Sequence, residues 1–524
     1  MGNRREFICL FIGWLLLAAA VAVPATQNFS VPGLYYDEAV FAGMAKDFVE
    51  GHGHGQHMPN SYAGTVFGRP FPLFVQTYLG ALKCWMFIPA LSVFGSSLAV
   101  VRATNLLWGL LALLLFMLGT RRWLGLPTAL VAGALLAFDP TYFFLCTIDW
   151  GAAIPSLICR CACLYFAVLW SVRRKAWPAF LVGLFAGLGL FNKADFAIFL
   201  FAVAIAGICC YSVFKELRFH LASIAASGIG FLVAAGPILI KLPQIFGFGL
   251  EAVHRNEFNE KIHALLSLYD GSHFYGLMAA GGVFEKMYDS PAGGRELLGL
   301  AVVAAIICFL IIQKRGRSST DKDRVITFLL LVAFLITIGI LLLPYAVRIH
   351  HAVLVFPLPQ MIVGAVAVLL WQRVSTLTVR VLIGLAGLIV IASQWHAIAA
   401  TESLLHQTGG RGRWSSSFDA FCQEIRHRSD LKIVSLDWGF NEQLIFLTDG
   451  PRLSEPFWNF HQAPPMLSID PDIIYLAHPA KYSVFRYDLY YLDAAKNSGQ
   501  KVQITPHPDR QNEVEFYTIQ FAAP

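Results

Sequence analysis

The chain has 524 residues, of which 57% are hydrophobic and only 14% charged, and its formal net charge is +6. Its mean hydropathy is +0.60. Soluble domains carry about 25% charged residues, so this composition excludes an ordinary soluble protein. The positive charge does not indicate nucleic-acid binding, because the lysines and arginines occur in short clusters between apolar runs, as in membrane proteins.

Eleven apolar runs have lengths that suit helices crossing a bilayer. The first, residues 8–25, follows two arginines and has the alternative of a cleaved signal peptide; its length favours a retained helix. The fold class expected is therefore a mainly α, polytopic bundle of about eleven transmembrane helices. The other ten runs are 103–120, 124–146, 151–172, 178–191, 196–214, 221–240, 297–313, 325–347, 352–372 and 381–395.

The basic clusters predict the orientation of this bundle, because positive loops stay in the cytoplasm. With a cytoplasmic N-terminus, every dense cluster falls on the inner side. The protein is then expected in the inner or plasma membrane, with its large loops and tail outside the cytoplasm. The inner clusters lie at 121–122, 173–175, 215–218, 314–324 and 373–380.

The tail differs from the rest of the chain because it is polar and mixed. Helix patterns at 415–428, 441–447 and 483–496 alternate with strand patterns at 432–436, 472–476 and 514–521, which predicts a small α/β domain. We therefore divide the chain into a membrane domain, 1–398, and an extracytoplasmic domain, 399–524. The outer loops of the membrane domain are 26–95 and 241–295.

An acidic motif, Tyr35-Tyr36-Asp37-Glu38, follows the first run. Apolar residues at helical spacing continue to position 50 and predict an amphipathic helix on the membrane surface, the type of outer juxtamembrane helix expected for this bundle. Asp37 suits a helix N-cap and Glu38 the helix dipole. Capping does not exclude catalysis, since a capped carboxylate is held rigidly.

Other charged residues are expected at the outer ends of the helices. Asp149 lies between two runs, where an acid often marks only the interface, but it could share a cleft with Asp37. Arg69, Lys193 and Arg348 could compensate a phosphate. In the simpler interpretation, Lys193 pairs with a neighbouring acidic residue in a turn, and Arg348 anchors its helix at the membrane interface.

Arg160 lies inside an apolar run. Ionisable residues within a membrane are functional candidates and need a partner inside the bundle. The sequence does not identify that partner.

Three histidines, His52, His54 and His57, lie in a glycine-rich segment. Imidazoles this close can bind a metal, but the segment offers no cysteine or firm carboxylate. Solvated histidines are the simpler interpretation. The sequence thus predicts no metal ligand and no certain cofactor, and it leaves a divalent cation possible.

These motifs together resemble the GT-C superfamily of membrane glycosyltransferases, in particular protein O-mannosyltransferases and the lipid A aminoarabinose transferase. The likeness covers most of residues 1–370 and rests on the order and spacing of its motifs. The chain departs from the family at Arg69-Pro70 and at His350-His351. The motifs are 36–39, 69–73, 94–103, 189–193 and 348–357.

The resemblance implies inverting transfer of a sugar from a polyprenyl-phosphate donor to a hydroxyl of a lipid, polysaccharide or protein. It implies Asp37 as the base, with Glu38 and Asp149 shaping the acceptor side. Donor-phosphate contacts would come from four basic residues: Lys193, Arg348, Arg69 and His351.

Membrane lipids are the other expected partners, and nucleic acid is not one. A transporter or lipid flippase is the first alternative, and it predicts midplane charges and repeats. A non-catalytic envelope assembly protein is the second, and it predicts that substitutions of the outer acids are silent.

Overall fold

The computed structural model of the chain describes residues 4–148, 150–210, 221–245, 258–279, 295–314, 320–343, 347–456 and 473–522. Helices form over all eleven predicted apolar runs. Seven helices in this described part are long and apolar enough to cross a membrane. The chain is thus a mainly helical, polytopic integral membrane protein, as predicted.

The helices of the membrane part follow the apolar runs with small shifts at their ends. They are α1 (Arg4–Ala25), α2 (Tyr36–Glu50), α3 (Leu82–Phe94), α4 (Leu98–Leu124), α5 (Leu126–Ala137), α6 (Pro140–Leu145), α7 (Ala153–Arg173), α8 (Ala176–Asn192), α9 (Phe196–Cys209), α10 (Leu221–Ile240), α11 (Phe258–Asp270), α12 (Leu298–Lys314), α13 (Asp321–Leu341), α14 (Leu358–Arg373) and α15 (Leu377–Thr408).

The run at 124–146 was expected to be one span but forms α5 and α6. Proline cannot continue a helix from the preceding turn. Asp139 instead caps a new helix, since its carboxylate accepts a hydrogen bond from the Tyr142 amide at 3.1 Å and Pro140 occupies the first helical position. The break turns the chain at one end of the bundle.

The first outer loop contains a small antiparallel sheet that the sequence analysis did not predict. Its strands are β1 (Tyr62–Val66), β2 (Arg69–Gln76) and β3 (Leu79–Gly80). Gly80 lies against the end of α8, where an added Cβ would come within 2.2 Å of the Phe191 carbonyl oxygen. Only glycine allows this close approach of two backbones.

The tail forms the predicted α/β arrangement, with a five-stranded sheet in the order β5-β4-β6-β8-β7. The neighbours β5-β4-β6 are parallel, and β6-β8-β7 are antiparallel. The short β5 and the exposed β7 were not predicted. The elements are α16 (Ser416–Ile425), β4 (Lys432–Ser435), α17 (Asn441–Leu447), β5 (Arg452–Ser454), β6 (Ile473–Ala477), α18 (Tyr487–Asn497), β7 (Lys501–Pro508) and β8 (Val514–Ala522).

Helix α2 forms where the pattern predicted it and is more deeply buried in the protein than that pattern indicated. Most of its residues are buried, because it packs against α3, β2 and α17 of the tail. Lys46 on α2 is fully buried, and its ammonium donates to the carbonyl of Thr448 at 2.8 Å and pairs with Asp449 at 2.7 Å. These contacts join the tail to the first outer loop.

A buried ion pair fixes the start of α2. Glu38 and Arg102 on α4 are both fully buried, with the Arg102 Nη2 atom 3.2 Å from Glu38 Oε2. The same guanidinium donates to the carbonyls of Asn28, Pro32 and Gly33 at 2.7–3.0 Å. Glu38 also accepts the Tyr35 amide at 3.2 Å. One side chain of α4 therefore holds both the loop before α2 and its first turn.

Arg160 has the partner that the sequence did not identify. Its guanidinium donates to the carbonyls of Phe356 and Val353 at 2.8 and 3.2 Å and to the Ser156 hydroxyl at 2.6 Å. These carbonyls lie in the turn before α14. The residue thus adds a donor to the Val353 carbonyl, which also accepts the Phe356 amide, and supplies one to the Phe356 carbonyl before α14.

We expect Arg102→Leu to destabilise the protein strongly, by about 3–5 kcal/mol, because it leaves the Glu38 carboxylate buried and unpaired. Arg122→Leu is the control, since Arg122 lies exposed at the other end of α4. Thermal unfolding of the purified proteins in detergent measures both. Equal melting temperatures for the two variants would contradict the role given to Arg102.

Candidate active site

A cavity of about 180 Å³ lies where the first outer loop, the helix ends of the bundle and the tail meet. Its walls are mostly aromatic and apolar, with one carboxylate and one ammonium. It includes one residue of the tail, Trp438. The lining residues are Tyr35, Asp37, Val40, Phe41, Met58, Val75, Gln76, Tyr78, Leu79, Trp150, Gly151, Lys193, His350 and Trp438.

Asp37 is the carboxylate of this cavity, and its side chain is only partly buried because it opens into the space. The indole N–H of Trp150 donates a hydrogen bond to it, and the ammonium groups of Lys83 and Lys193 lie near enough to stabilise its charge. Burial outweighs these contributions and raises the pKa of Asp37 to about 6. A carboxylate of this kind is ionised at neutral pH and basic enough to accept a proton.

Trp150 is held in place by its neighbours. The His273 ring stacks on it with centroids 5.4 Å apart, and the Tyr35 ring meets it edge-on at 6.0 Å. Burial, with a smaller contribution from Arg348, lowers the pKa of His273 to about 3, so this stacked imidazole is neutral. The rigid indole therefore keeps its N–H directed at Asp37.

Lys193 is the ammonium of the cavity, and only 5% of the residue is exposed. Its Nζ atom pairs with Asp195 Oδ2 at 3.0 Å, as the turn interpretation predicted, and donates to the His350 carbonyl at 3.5 Å. Both predicted roles are compatible, because Lys193 also faces the space that Asp37 faces. Lys193 thereby contributes an ammonium group to the cavity wall, while its partner Asp195 is not part of that wall.

His350 faces the same space, although the sequence analysis counted it only as a departure from the family. Its ring lies 4.7 Å from that of Trp150, and its Nδ1 atom has no hydrogen-bond partner among the described residues. Gly151, with φ of +62°, leaves room for this ring, since a Cβ there would lie 2.9 Å from it.

Arg348 and His351 lie beside the cavity rather than in its wall. The His351 ring is buried, and its Nδ1 atom accepts the Arg348 amide at 3.1 Å. The Arg348 charge acts on the neighbouring Tyr35 and His273 rings. Arg348 and His351, the two predicted phosphate contacts, are therefore neighbours of His350 but do not line the cavity themselves.

Two other predicted residues lie away from the cavity. Glu38 points the opposite way from Asp37 and binds Arg102. Arg69 is exposed at the start of β2, and its guanidinium donates to the Phe48 and Val49 carbonyls at the end of α2. Asp149 lies outside the described residues, although its neighbour Trp150 is in the cavity wall.

The sequence analysis missed Lys83, Tyr78 and Trp438. The sequence could have indicated Lys83, because it is a single charged residue within an apolar stretch. Only 1% of Lys83 is exposed, and its Nζ atom lies 4.7 Å from the centre of the Phe41 ring. Trp438 lies just after the strand predicted at 432–436, and its side chain lines the cavity. The Arg413 guanidinium lies 5.0 Å above its ring and donates to its carbonyl at 3.1 Å.

Part of the chain, residues 82–242, matches the family model described as dolichyl-phosphate-mannose-protein mannosyltransferase. No curated protein matches the chain significantly.

Solved structures give matches over nearly the whole chain. ArnT from Cupriavidus metallidurans bound to undecaprenyl phosphate is 12% identical with a TM-score of 0.58, over 97% of this chain and 98% of that one. Its apo state is 13% identical with a TM-score of 0.57 over the same shares. The Archaeoglobus fulgidus oligosaccharyltransferase tethered with an acceptor peptide is 13% identical with a TM-score of 0.55, over 96% of this chain and 69% of that one. The chain thus has the GT-C fold of these structures, and its residues 82–242 resemble dolichyl-phosphate-mannose-protein mannosyltransferases.

Proposed function

We propose that the protein is an inverting glycosyltransferase that moves a sugar from a polyprenyl-phosphate donor to a hydroxyl of a glycolipid, polysaccharide or protein. The observation that carries this proposal is the pairing of Asp37 with Lys193 across one aromatic cavity. Inverting transfer needs a base beside the acceptor oxygen and positive charge beside the leaving phosphate. The cavity offers both.

In the proposed reaction the acceptor oxygen attacks the anomeric carbon while its proton passes to the Asp37 carboxylate. The bond between that carbon and the phosphate oxygen breaks, and polyprenyl phosphate leaves. Lys193 compensates its charge, with Arg348 behind it. His351, whose Nδ1 atom accepts the Arg348 amide, is proposed as a hydrogen-bonding contact rather than as a charge. The His350 ring lines the same cavity and is placed to contact the sugar or the phosphate.

The remaining predicted roles follow from position. Asp149 remains a proposed acceptor-side residue, adjacent to Trp150. Glu38 helps to position Asp37 through its ion pair with Arg102. Arg69 stabilises the C-terminal end of α2 through its hydrogen bonds to backbone carbonyls. The aromatic walls, Tyr35, Tyr78, Trp150 and Trp438, would bind the apolar faces of a sugar ring.

The comparisons support the donor class. The ArnT structure contains undecaprenyl phosphate, and the oligosaccharyltransferase structure contains an acceptor peptide. A polyprenyl phosphate bound by a similar fold favours a lipid-linked donor here. Donor sugar and acceptor are not fixed by a shared fold.

We place the site on the outer face of the membrane, with the tail, residues 399–524, on the same side. Arg102 and Arg121 lie 19 residues apart on α4, which spans roughly 28 Å of helix, close to the thickness of a bilayer core. The Arg102 end contacts the loop that carries Asp37. The Arg121 end lies in a groove that also contains Glu6 and three further basic residues, Arg122, Arg173 and Lys175. Such a cluster of basic residues is typical of the cytoplasmic side of a membrane protein.

The activity is tested with purified protein, a panel of polyprenyl-phosphate sugars and an envelope extract as acceptor source. We expect the wild type to consume one donor and Asp37→Asn to lower the rate by about 10²–10⁴. Asp493→Asn, an exposed carboxylate of α18, is the matched control and should keep the full rate. A folded protein that consumes no donor would favour a transporter or flippase, and a fully active Asp37→Asn would remove Asp37 as the base.

The pH dependence follows from the pKa of Asp37, which is about 6. The base form dominates above this value, so the rate at subsaturating substrate should rise about tenfold per pH unit below pH 6 and level off above it. Initial rates from pH 4.5 to 8 test this. A flat profile across pH 6 would show that another group takes the proton.

Asp37→Asn should also change stability in a pH-dependent way. The folded pKa lies above the unfolded value, so folding takes up a proton and the wild type loses stability as the pH rises from about 4 to 6. The variant lacks this loss and should melt at a higher temperature at pH 7.5. Thermal unfolding should give no difference near pH 3.5; a variant that is less stable at pH 7.5 contradicts the assignment.

A further inference from the structure

A second cluster of chemical groups lies at the far end of α2. The helix ends at Gly51, whose φ of +87° turns the chain back, and the next residues run along the helix terminus. This places one donor atom each of Glu50, His52 and His54 within 4.8 Å of one another. Imidazole nitrogens and a carboxylate oxygen are the ligand types of zinc sites.

The side chain of His54 is buried, and one of its two ring nitrogens is held by a carboxylate. Its side chain is only 5% exposed, and its Nδ1 atom lies 2.8 Å from Asp47 Oδ1. Asp47 is itself held, because His57 Nε2 lies 2.8 Å from its other oxygen and His57 Nδ1 lies 2.9 Å from Glu442 in the tail. A carboxylate that orients the far nitrogen is typical of metal-binding histidines.

The other nitrogen of His54 is directed at the cluster. The Nε2 atom is buried, lies 2.7 Å from Glu50 Oε2, and makes no hydrogen bond within the described residues. The His52 ring lies 4.5 Å from the His54 ring, centroid to centroid. An oriented and buried imidazole nitrogen that faces a carboxylate and a second imidazole is arranged as a metal ligand would be.

We propose that Glu50, His52 and His54 bind a divalent transition metal of the zinc class. Each donor would lie about 2.0–2.2 Å from the ion, with a fourth position for water. Glu50 and His52 are exposed and can rotate by the small distance needed, while His54 stays fixed by Asp47. The set lacks the additional oxygen ligands that calcium or magnesium prefers.

This site is separate from the proposed reaction. Asp37 and Glu50 are 13 residues apart on α2, which is about 20 Å along the helix. The metal would instead secure the segment from Gly51 to Met58, whose last residue lines the cavity and donates its amide to Glu442 Oε1 at 2.8 Å. The proposal stands whether or not the chain transfers sugars.

Metal binding is tested on the full-length protein in detergent, after chelation and removal of the chelator. Titration with CoCl₂, followed by visible absorption, should give a saturable signal of about one equivalent, which ZnCl₂ displaces. Glu50→Gln and His52→Ala should each weaken Co²⁺ binding by about 10-fold or more. His427→Ala is the control, because its side chain is 78% exposed outside the cluster.

The competing explanation is a protonated His54 shared between Asp47 and Glu50 without metal. It predicts no saturable Co²⁺ signal, and this result would overturn the proposal. Equal affinity in wild type, Glu50→Gln and His52→Ala would overturn it as well. Both substituted side chains are exposed, so thermal unfolding should confirm that the variants are folded before titration.

Discussion

The buried guanidinium of Arg102 is the contact on which the geometry of the first outer loop depends. It reaches from the start of α4 to three carbonyls of the preceding loop and to the Glu38 carboxylate. Five donor groups in a planar fork make arginine suited to this task. The Glu38 carboxylate compensates the Arg102 charge, and the three carbonyls accept hydrogen bonds from the guanidinium. These contacts fix the conformation of the loop between α1 and α2. That conformation sets where α2 begins, with Tyr35 as its N-cap and Asp37 in its first turn.

Two adjacent carboxylates thereby acquire different environments. Successive residues of a helix point about 100° apart, so fixing Glu38 against Arg102 turns Asp37 toward the cavity. Glu38 has a partner at 3.2 Å, whereas among the described residues Asp37 accepts the Trp150 N–H and is stabilised by the more distant ammonium groups of Lys83 and Lys193. The ion pair of Glu38 with Arg102 stabilises the first turn of α2 and so keeps Asp37 in a position where burial raises its pKa. Such separation of paired acids is a recurring basis of acid–base chemistry.

The sequence predicted the helices well, because apolar length and charge asymmetry act locally and leave a strong pattern. It also indicated Asp37 and Lys193, since both interrupt apolar segments at helix ends. It did not predict the burial of α2, because the covering α17 lies about 400 residues later in the chain. Trp438 was missed for the same reason: its contact with the cavity depends on Arg413 and Tyr36, and no local spacing shows this.

The tail therefore belongs to the site rather than to a detached domain. Lys46 joins α2 to the end of α17, Glu442 joins the histidine segment to the same helix, and Trp438 closes the cavity. All three contacts bury charge or aromatic surface, so the first outer loop and the tail stabilise each other. A change in the tail that loosens α17 would expose Lys46 and shift Met58 and Trp438 together. The tail therefore shapes one wall of the cavity through Trp438, whereas Asp37 on α2 and Lys193 after α8 lie on the membrane part of the chain.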